Sequence, residues 1–187
     1  MARINLRGVG MPQMQVKLEG DWKRVTNALS NLQPALSNGY DIGATQAMKE
    51  VEKTVKKAIR SGAPPPNSGV YWQPLAASTI IKYGKHGIYR LTLAYYRSIK
   101  LQKTRKGRIT VGVSTNMKHP LHKGLTIVQI ANILENGNGR IPSRPLWAPS
   151  LKSVGGRPFI RNRILKSIKK ELMKKGFRSN EIRITSW

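Results

Sequence analysis

The spacing of apolar residues predicts one long helix in the N-terminal half of the chain. From about residue 41 to residue 60, apolar side chains recur at steps of three and four, and lysines and glutamates fall mostly on the opposite side. The apolar positions are Ile42, Met48, Val51, Val55, Ala58 and Ile59. A shorter helix is predicted from about residue 22 to residue 32. Pro34 is suited to open a second one, and Asn38-Gly39 predicts a break before the long helix.

Short helices and one hairpin are predicted in the middle of the chain. Residues 76–83 and 92–99 read as helices. Residues 100–104 and 108–114 flank Arg105-Lys106-Gly107, which is a hairpin signal, so they predict an antiparallel hairpin.

Two more helices are indicated further along. Thr126 and Gln129 have the spacing of a capping box ahead of an apolar run. Residues 158–175 carry an apolar stripe beside a strongly basic face. Together the elements predict a single α+β domain over residues 1–187: a small antiparallel sheet packed against one long helix and several shorter helices, with extended arms and loops. Residues 1–20 are a candidate N-terminal arm, and residues 177–187 a candidate C-terminal strand or arm.

The stretch from residue 131 to residue 150 combines a helix end, a glycine-rich turn and two prolines. Asn136-Gly137 closes the helix. The prolines fix φ and keep the segment extended, which predicts that Arg144 is held outward on a stiff, helix-free loop. We expect a docking loop, since arginine and tryptophan often anchor interfaces. Its interface candidates are Ile141, Pro142, Arg144, Pro145 and Trp147. The alternative is that Trp147 fills the core of its own subunit.

Three motifs carry a resemblance to a known family. The first is A-x-I-L-E-N-G, followed by I-P-S-R-P-L-W-x-P-S, within residues 131–150; the second is W-Q-P-L-A-A-S-T-I at residues 72–80; the third is L-T-L-A-Y-Y-R-S-I at residues 91–99. In the order in which they occur along the chain, they resemble the signature of tailed-phage neck and tail-completion proteins, a group that includes virion morphogenesis and minor tail proteins. The similarity covers roughly residues 40–151. Ala94 and Tyr95 depart from the glycine region usual in the third motif.

The resemblance implies a structural virion protein and not an enzyme. Such a protein lies in the neck or upper tail, is assembled in the host cytoplasm, and completes the tail or joins it to the head. It forms a closed ring, with six-fold symmetry favoured. Its neighbours are head-closure or portal-side proteins and tail-tube or tail-terminator proteins, and packaged DNA can pass through the ring.

The charge of the chain points to polyanionic or acidic partners. It has 34 basic and 8 acidic residues, a formal net charge of +26, and no acidic residue between Glu52 and Glu135. Two basic clusters are candidates for contact with DNA or an acidic ring: Lys103, Arg105, Lys106 and Arg108 at the hairpin tip, and Arg161, Lys169, Lys170 and Lys174 on the last helix. Charge alone also fits a nucleic-acid-binding protein of ribosomal or nucleoid type, or a generally solvated basic surface.

Candidates for catalysis and metal binding are weak. There is no cysteine, so disulfides and thiol chemistry are excluded. No paired carboxylates are placed for acid–base work. His119 and His122 are separated as ligands can be, but no third ligand is near them. We therefore expect no catalytic residue, metal or cofactor. No apolar run approaches the roughly 20 residues that span a bilayer, so no membrane is expected.

Overall fold

The computed structural model describes residues 22–84, 93–103, 107–113, 117–118, 120 and 124–177. The elements in this part of the chain are α1 (Trp22–Ser61), α2 (Ala77–Tyr83), α3 (Ala94–Ser98), β1 (Ile99–Lys103), β2 (Ile109–Val113), α4 (Ile127–Asn136), α5 (Trp147–Ser153) and α6 (Gly156–Lys174). The predicted α+β arrangement, with a small antiparallel sheet against one long helix, is confirmed. The predicted arms lie outside the described residues, except for Phe177.

Helix α1 is continuous, so the predicted break at Asn38-Gly39 is wrong. It runs for 40 residues, with Pro34 inside it. The reason is tertiary: α6 packs along α1 at very short range. A Cβ atom added at Gly39 would lie 2.5 Å from the Cα of Ile168, and one at Gly43 would lie 2.5 Å from the Cα of Ile164. Glycine costs about 1 kcal/mol in a helix interior, and the packing of the two helices outweighs that cost.

The inner face of the C-terminal half of α1 forms one side of the core. Val51, Val55, Ala58 and Ile59 are buried as predicted, whereas Ile42 is 41 % exposed. Ile42 is turned about 60° around the helix axis from Gly39 and about 100° from Gly43, the two residues at the close contact with α6, so it lies at the side of that contact. The periodicity therefore identified the buried face only where α1 meets the sheet.

Strands β1 and β2 form an antiparallel hairpin whose pairing runs from Ile99 opposite Val113 to Lys103 opposite Ile109. Ile99 and Ile109 are buried against α1, which places the hairpin on the inner face of that helix. The core between them is completed by Trp72, by Ala94 and Tyr95 of α3, by Ile127 and Ala131 of α4, and by Leu146.

Helix α4 begins at the predicted capping box. The backbone N–H of Gln129 donates to Oγ1 of Thr126 at 3.2 Å, and the backbone N–H of Thr126 donates to Oε1 of Gln129 at 2.8 Å. This reciprocal cap fixes the start of the helix, whose other end leads into the proline-containing loop.

Candidate functional site

The loop after α4 is built as a tight reversal. Gly137 has φ 76°, a left-handed conformation that favours glycine, and a Cβ atom there would lie 2.9 Å from the backbone nitrogen of Ser143. The turn is closed by two backbone bonds between Asn138 and Ile141, of 2.8 and 3.1 Å. The chain therefore returns against the end of α4, and Ile141 stands at the outer edge with 36 % of its surface exposed.

Glu135 joins the end of α4 to the start of α5. Its carboxylate accepts hydrogen bonds from the backbone N–H groups of Leu146 at 2.8 Å and Trp147 at 3.3 Å. Its backbone oxygen accepts one from the hydroxyl of Ser143 at 2.7 Å. A carboxylate at a helix N-terminus satisfies N–H groups that have no partner within the helix and complements the helix dipole. Glu135 is thus the cap of α5.

Arg144 points into the molecule. Its side chain is buried, with 5 % of the residue exposed, and Nε and Nη2 donate to the carbonyl oxygens of Gln73 at 3.0 Å and Pro74 at 3.1 Å. Its backbone N–H donates to the oxygen of Leu134 at 2.7 Å. The prediction that Arg144 is held outward is therefore wrong. The flanking prolines fix the backbone, but the guanidinium turns toward carbonyls that lie outside any helix or sheet and need donors.

A second bond joins the same two segments. The indole N–H of Trp72, a residue only 4 % exposed, donates to the carbonyl oxygen of Pro145 at 2.9 Å. Residues 72–74 and 144–145 are therefore fastened by three side-chain hydrogen bonds. We call this set of contacts, together with the Glu135 cap, the braced loop. Two of the three motifs noted in the sequence meet in it.

The remaining interface candidates are distributed over the braced loop. Ile141 is exposed, Pro142 and Pro145 are half-buried, and Trp147 is half-buried and packs against the core. The interpretation of Trp147 as a core residue is favoured by this packing. Only Ile141, among the five predicted interface residues, presents a large apolar side chain outward.

The third motif lies beneath the braced loop. Tyr95 is 4 % exposed, and burial followed by the negative charge of Glu135 raises the pKa of its hydroxyl, while a side-chain contact with Trp147 opposes the increase. Among the described residues of this segment, 93–99, the left-handed backbone belongs to Leu93, at φ 54°, and not to Ala94 or Tyr95, which lie in α3. Leu93 is therefore the position that a glycine would occupy without strain.

The hairpin tip is tied to α1 on one side. Nζ of Lys103 lies 2.5 Å from Oδ2 of Asp41, and Arg108 is exposed beside Tyr40 and Gly107 at the edge of a cleft. Arg105 and Lys106 lie outside the described residues. Of the predicted tip cations in the described part, Lys103 is thus already paired with a carboxylate.

The basic face of α6 is partly neutralised as well. Arg161, Lys170 and Lys174 are exposed and Lys169 is half-buried. Nζ of Lys174 lies 2.6 Å from Oε1 of Glu171. The four predicted cations are on one helix, and none of them lines the cleft beside Arg108 or the groove formed by Lys49 and Tyr96.

A basic groove on α1 was not among the predicted sites. It has a volume of about 550 Å³ and is lined by Lys49, Glu52, Lys53, Lys56, Lys57, Arg60 and Tyr96. The sequence does place these lysines on the outer face of the helix. The groove itself depends on Tyr96, which α3 brings against α1 from a distant part of the sequence.

Within the described part of the chain, no cluster of three or more histidine, cysteine or acidic residues has the arrangement of a metal site. None of the helices described is both long enough and apolar enough to cross a bilayer. Comparisons of the chain with protein-family models, with curated proteins and with solved structures give no match.

Proposed function

We propose that the chain is a structural virion protein of a tailed phage, located in the neck or upper tail, where it forms a ring that completes the tail or joins it to the head. The observation that carries the proposal is the convergence of the three motif segments. Residues 72–74 and 144–145 are fastened to each other, and Tyr95 of the third motif lies under Glu135. Motifs that resemble one family in sequence thus contribute to one structural unit.

The braced loop is suited to a mechanical role. Arg144, Trp72 and Glu135 fix its position from inside, which lowers the entropy cost of docking its outer edge. Ile141 at that edge is the apolar contact offered to a neighbouring subunit. In a ring of identical subunits, one patch of each subunit contacts a different patch of the next, and the rotation between neighbouring subunits must close the ring. We propose the Ile141 edge as one of those patches. The partners are other copies of the chain and the adjoining head-side and tail-side proteins.

The proposal is tested by locating the protein in particles. A nonsense mutation in its gene should yield filled heads and unattached or incomplete tails, and the wild-type protein supplied in trans should restore infectious particles. Immunogold labelling of complete particles should mark the junction between head and tail. Normal particles that lack the protein would show that it has no virion role.

The alternative from the sequence is a nucleic-acid-binding protein of ribosomal or nucleoid type. It predicts label over the host nucleoid or co-sedimentation with ribosomes, and no effect of the nonsense mutation on head–tail joining. The same labelling experiment therefore separates the two functions.

A further inference from the structure

The outer face of α1 carries a regular row of lysines. Lys49, Lys53 and Lys57 follow one another at steps of four, so they lie on one side of the helix, about 6 Å apart along its axis. All three are exposed, and no ion pair involves them in the described part of the structure. We call them the lysine row.

The groove beside the lysine row is strongly cationic. Lys56 and Arg60 lie at its edge, with Nζ and the guanidinium carbon 5.6 and 5.0 Å from the centre of the Tyr96 ring. Glu52 is the one acidic residue that lines it, and its carboxylate is bound to Nζ of Lys56 at 2.5 Å. The groove is therefore lined by five basic residues and one acidic residue, and that acidic residue is paired with one of the five.

The surroundings of the groove narrow the choice of partner. None of the exposed large hydrophobic residues in the described part lines it. A stable protein interface generally has an apolar centre. A helix that lies in a membrane surface needs a free apolar face, and the apolar face of α1 in this region is buried in the core. The partner must therefore be recognised by charge.

The groove also favours a duplex over a single strand. Proteins that bind single strands stack bases on open aromatic rings, whereas the Tyr96 ring is covered by Lys56 and Arg60. Duplex DNA presents phosphates at regular short intervals, which suits cations repeated along a rigid helix. We infer that the lysine row, with Lys56 and Arg60 at its edge, binds the phosphate backbone of duplex DNA without reading its sequence. The inference rests on the proposed function for the source of that DNA, which is the channel of the ring.

The test is binding of the full chain to a labelled duplex of mixed sequence, followed by fluorescence anisotropy over a range of salt concentrations. The test variant is Lys49→Gln with Lys53→Gln and Lys57→Gln. The matched control is Lys82→Gln with Lys118→Gln and Lys175→Gln, which removes the same charge from exposed, scattered positions. Each phosphate contact contributes about 0.9 to the slope of log K against log salt.

The lysine-row variant should bind at least about 10-fold more weakly at low salt, with a slope shallower by about 2 to 3. The control should stay within about 3-fold of the wild type. A third variant with arginine at the three row positions should bind like the wild type. Circular dichroism verifies that each variant is folded.

Three results would overturn the inference: equal losses in the two glutamine variants, equal binding of single-stranded and duplex DNA, or binding of polyglutamate as tight as that of the duplex. Localisation in particles is scored separately. If the protein does not bind duplex DNA but is found at the neck of particles, only the inference about the lysine row is contradicted, and the proposed virion function stands. If the protein binds duplex DNA but is absent from particles, the proposed virion function is contradicted and the inferred DNA-binding site on α1 stands.

Discussion

The indole N–H of Trp72 donates to the carbonyl oxygen of Pro145 at 2.9 Å, across 73 residues of sequence. Beside it, Arg144 donates to the carbonyls of Gln73 and Pro74. These bonds make the 72–74 segment and the 144–145 segment one unit. The braced loop is therefore stabilised from inside, and Arg144 acts as an internal brace and not as the point of contact.

Replacing Arg144 by alanine should lower the free energy of unfolding by about 2–4 kcal/mol, because the carbonyls of Gln73 and Pro74 lose their charged donor and the buried side chain leaves a void. Urea denaturation measures the loss. Lysine at this position should recover little, since one ammonium cannot reproduce the planar fork. Arg140→Ala, an exposed change in the same loop, serves as control and should cost less than about 0.5 kcal/mol. A stable Arg144→Ala protein that fails only to assemble would restore the outward interpretation.

Replacing Glu135 by glutamine should cost about 1–2 kcal/mol, because the cap of α5 loses its charge and one of its two acceptor oxygens is replaced by an amide nitrogen, which donates and cannot accept. The same change should lower the pKa of Tyr95 toward its ordinary value, which ultraviolet titration of tyrosinate detects. Glu50→Gln, on the exposed surface of α1, is the control and should alter neither quantity. No movement of the Tyr95 titration would mean that the carboxylate does not act on that hydroxyl.

The raised pKa of Tyr95 predicts a loss of stability in alkali. Below its ordinary pKa of 10.0 the hydroxyl is neutral in both states. Above that pH the unfolded chain releases the proton first, so the folded state is disfavoured by up to about 1.4 kcal/mol per pH unit. Denaturation of wild type and Tyr95→Phe at several pH values above 10 should show the steeper decline in the wild type. Parallel curves would exclude Tyr95 as the source, since lysines contribute equally to both proteins.

Substitutions by alanine at two adjacent positions of α1 should change the free energy of unfolding in opposite directions. Gly39→Ala should destabilise by about 1–3 kcal/mol although alanine is the better helix former, because the added methyl group meets the backbone of α6. Asn38→Ala, exposed on the same helix, should stabilise by a few tenths of a kcal/mol. Thermal unfolding followed by circular dichroism compares the two. Stabilisation by both would show that α1 and α6 are further apart than the structure places them.

Ile141 is the residue through which the loop is expected to reach a neighbour. Ile141→Asp should leave the free energy of unfolding within about 1 kcal/mol, since the side chain is exposed, yet reduce ring formation and incorporation into particles. Native mass spectrometry gives the assembly state. Ile141→Val keeps an apolar edge and should assemble normally. Rings formed by the aspartate variant as by the wild type would exclude this edge as an interface.

The sequence predicts well the elements whose signals are local. The hairpin, the capping box at Thr126 and the last helix follow from turn chemistry, side-chain spacing and periodicity within a few turns of chain. The continuity of α1 does not, because Gly39 is tolerated only through contact with α6, far away in sequence. The inward turn of Arg144 depends in the same way on two carbonyls near residue 73. Prolines fix the backbone path and leave the direction of the side chain to distant partners.

Helix α1 also fixes the angle, measured around its axis, between the face that contacts α6 and the face that carries the lysine row. Forty helical residues rise about 60 Å, and each residue turns the helix by about 100°. The contact at Gly43 and the lysine row that begins at Lys49 are therefore locked at a fixed angle. Deleting a single residue between them would rotate the cations by more than a quarter turn about the axis while α6 stayed in place. The number of helical residues between Gly43 and Lys49 therefore sets the direction in which the lysine row faces relative to α6.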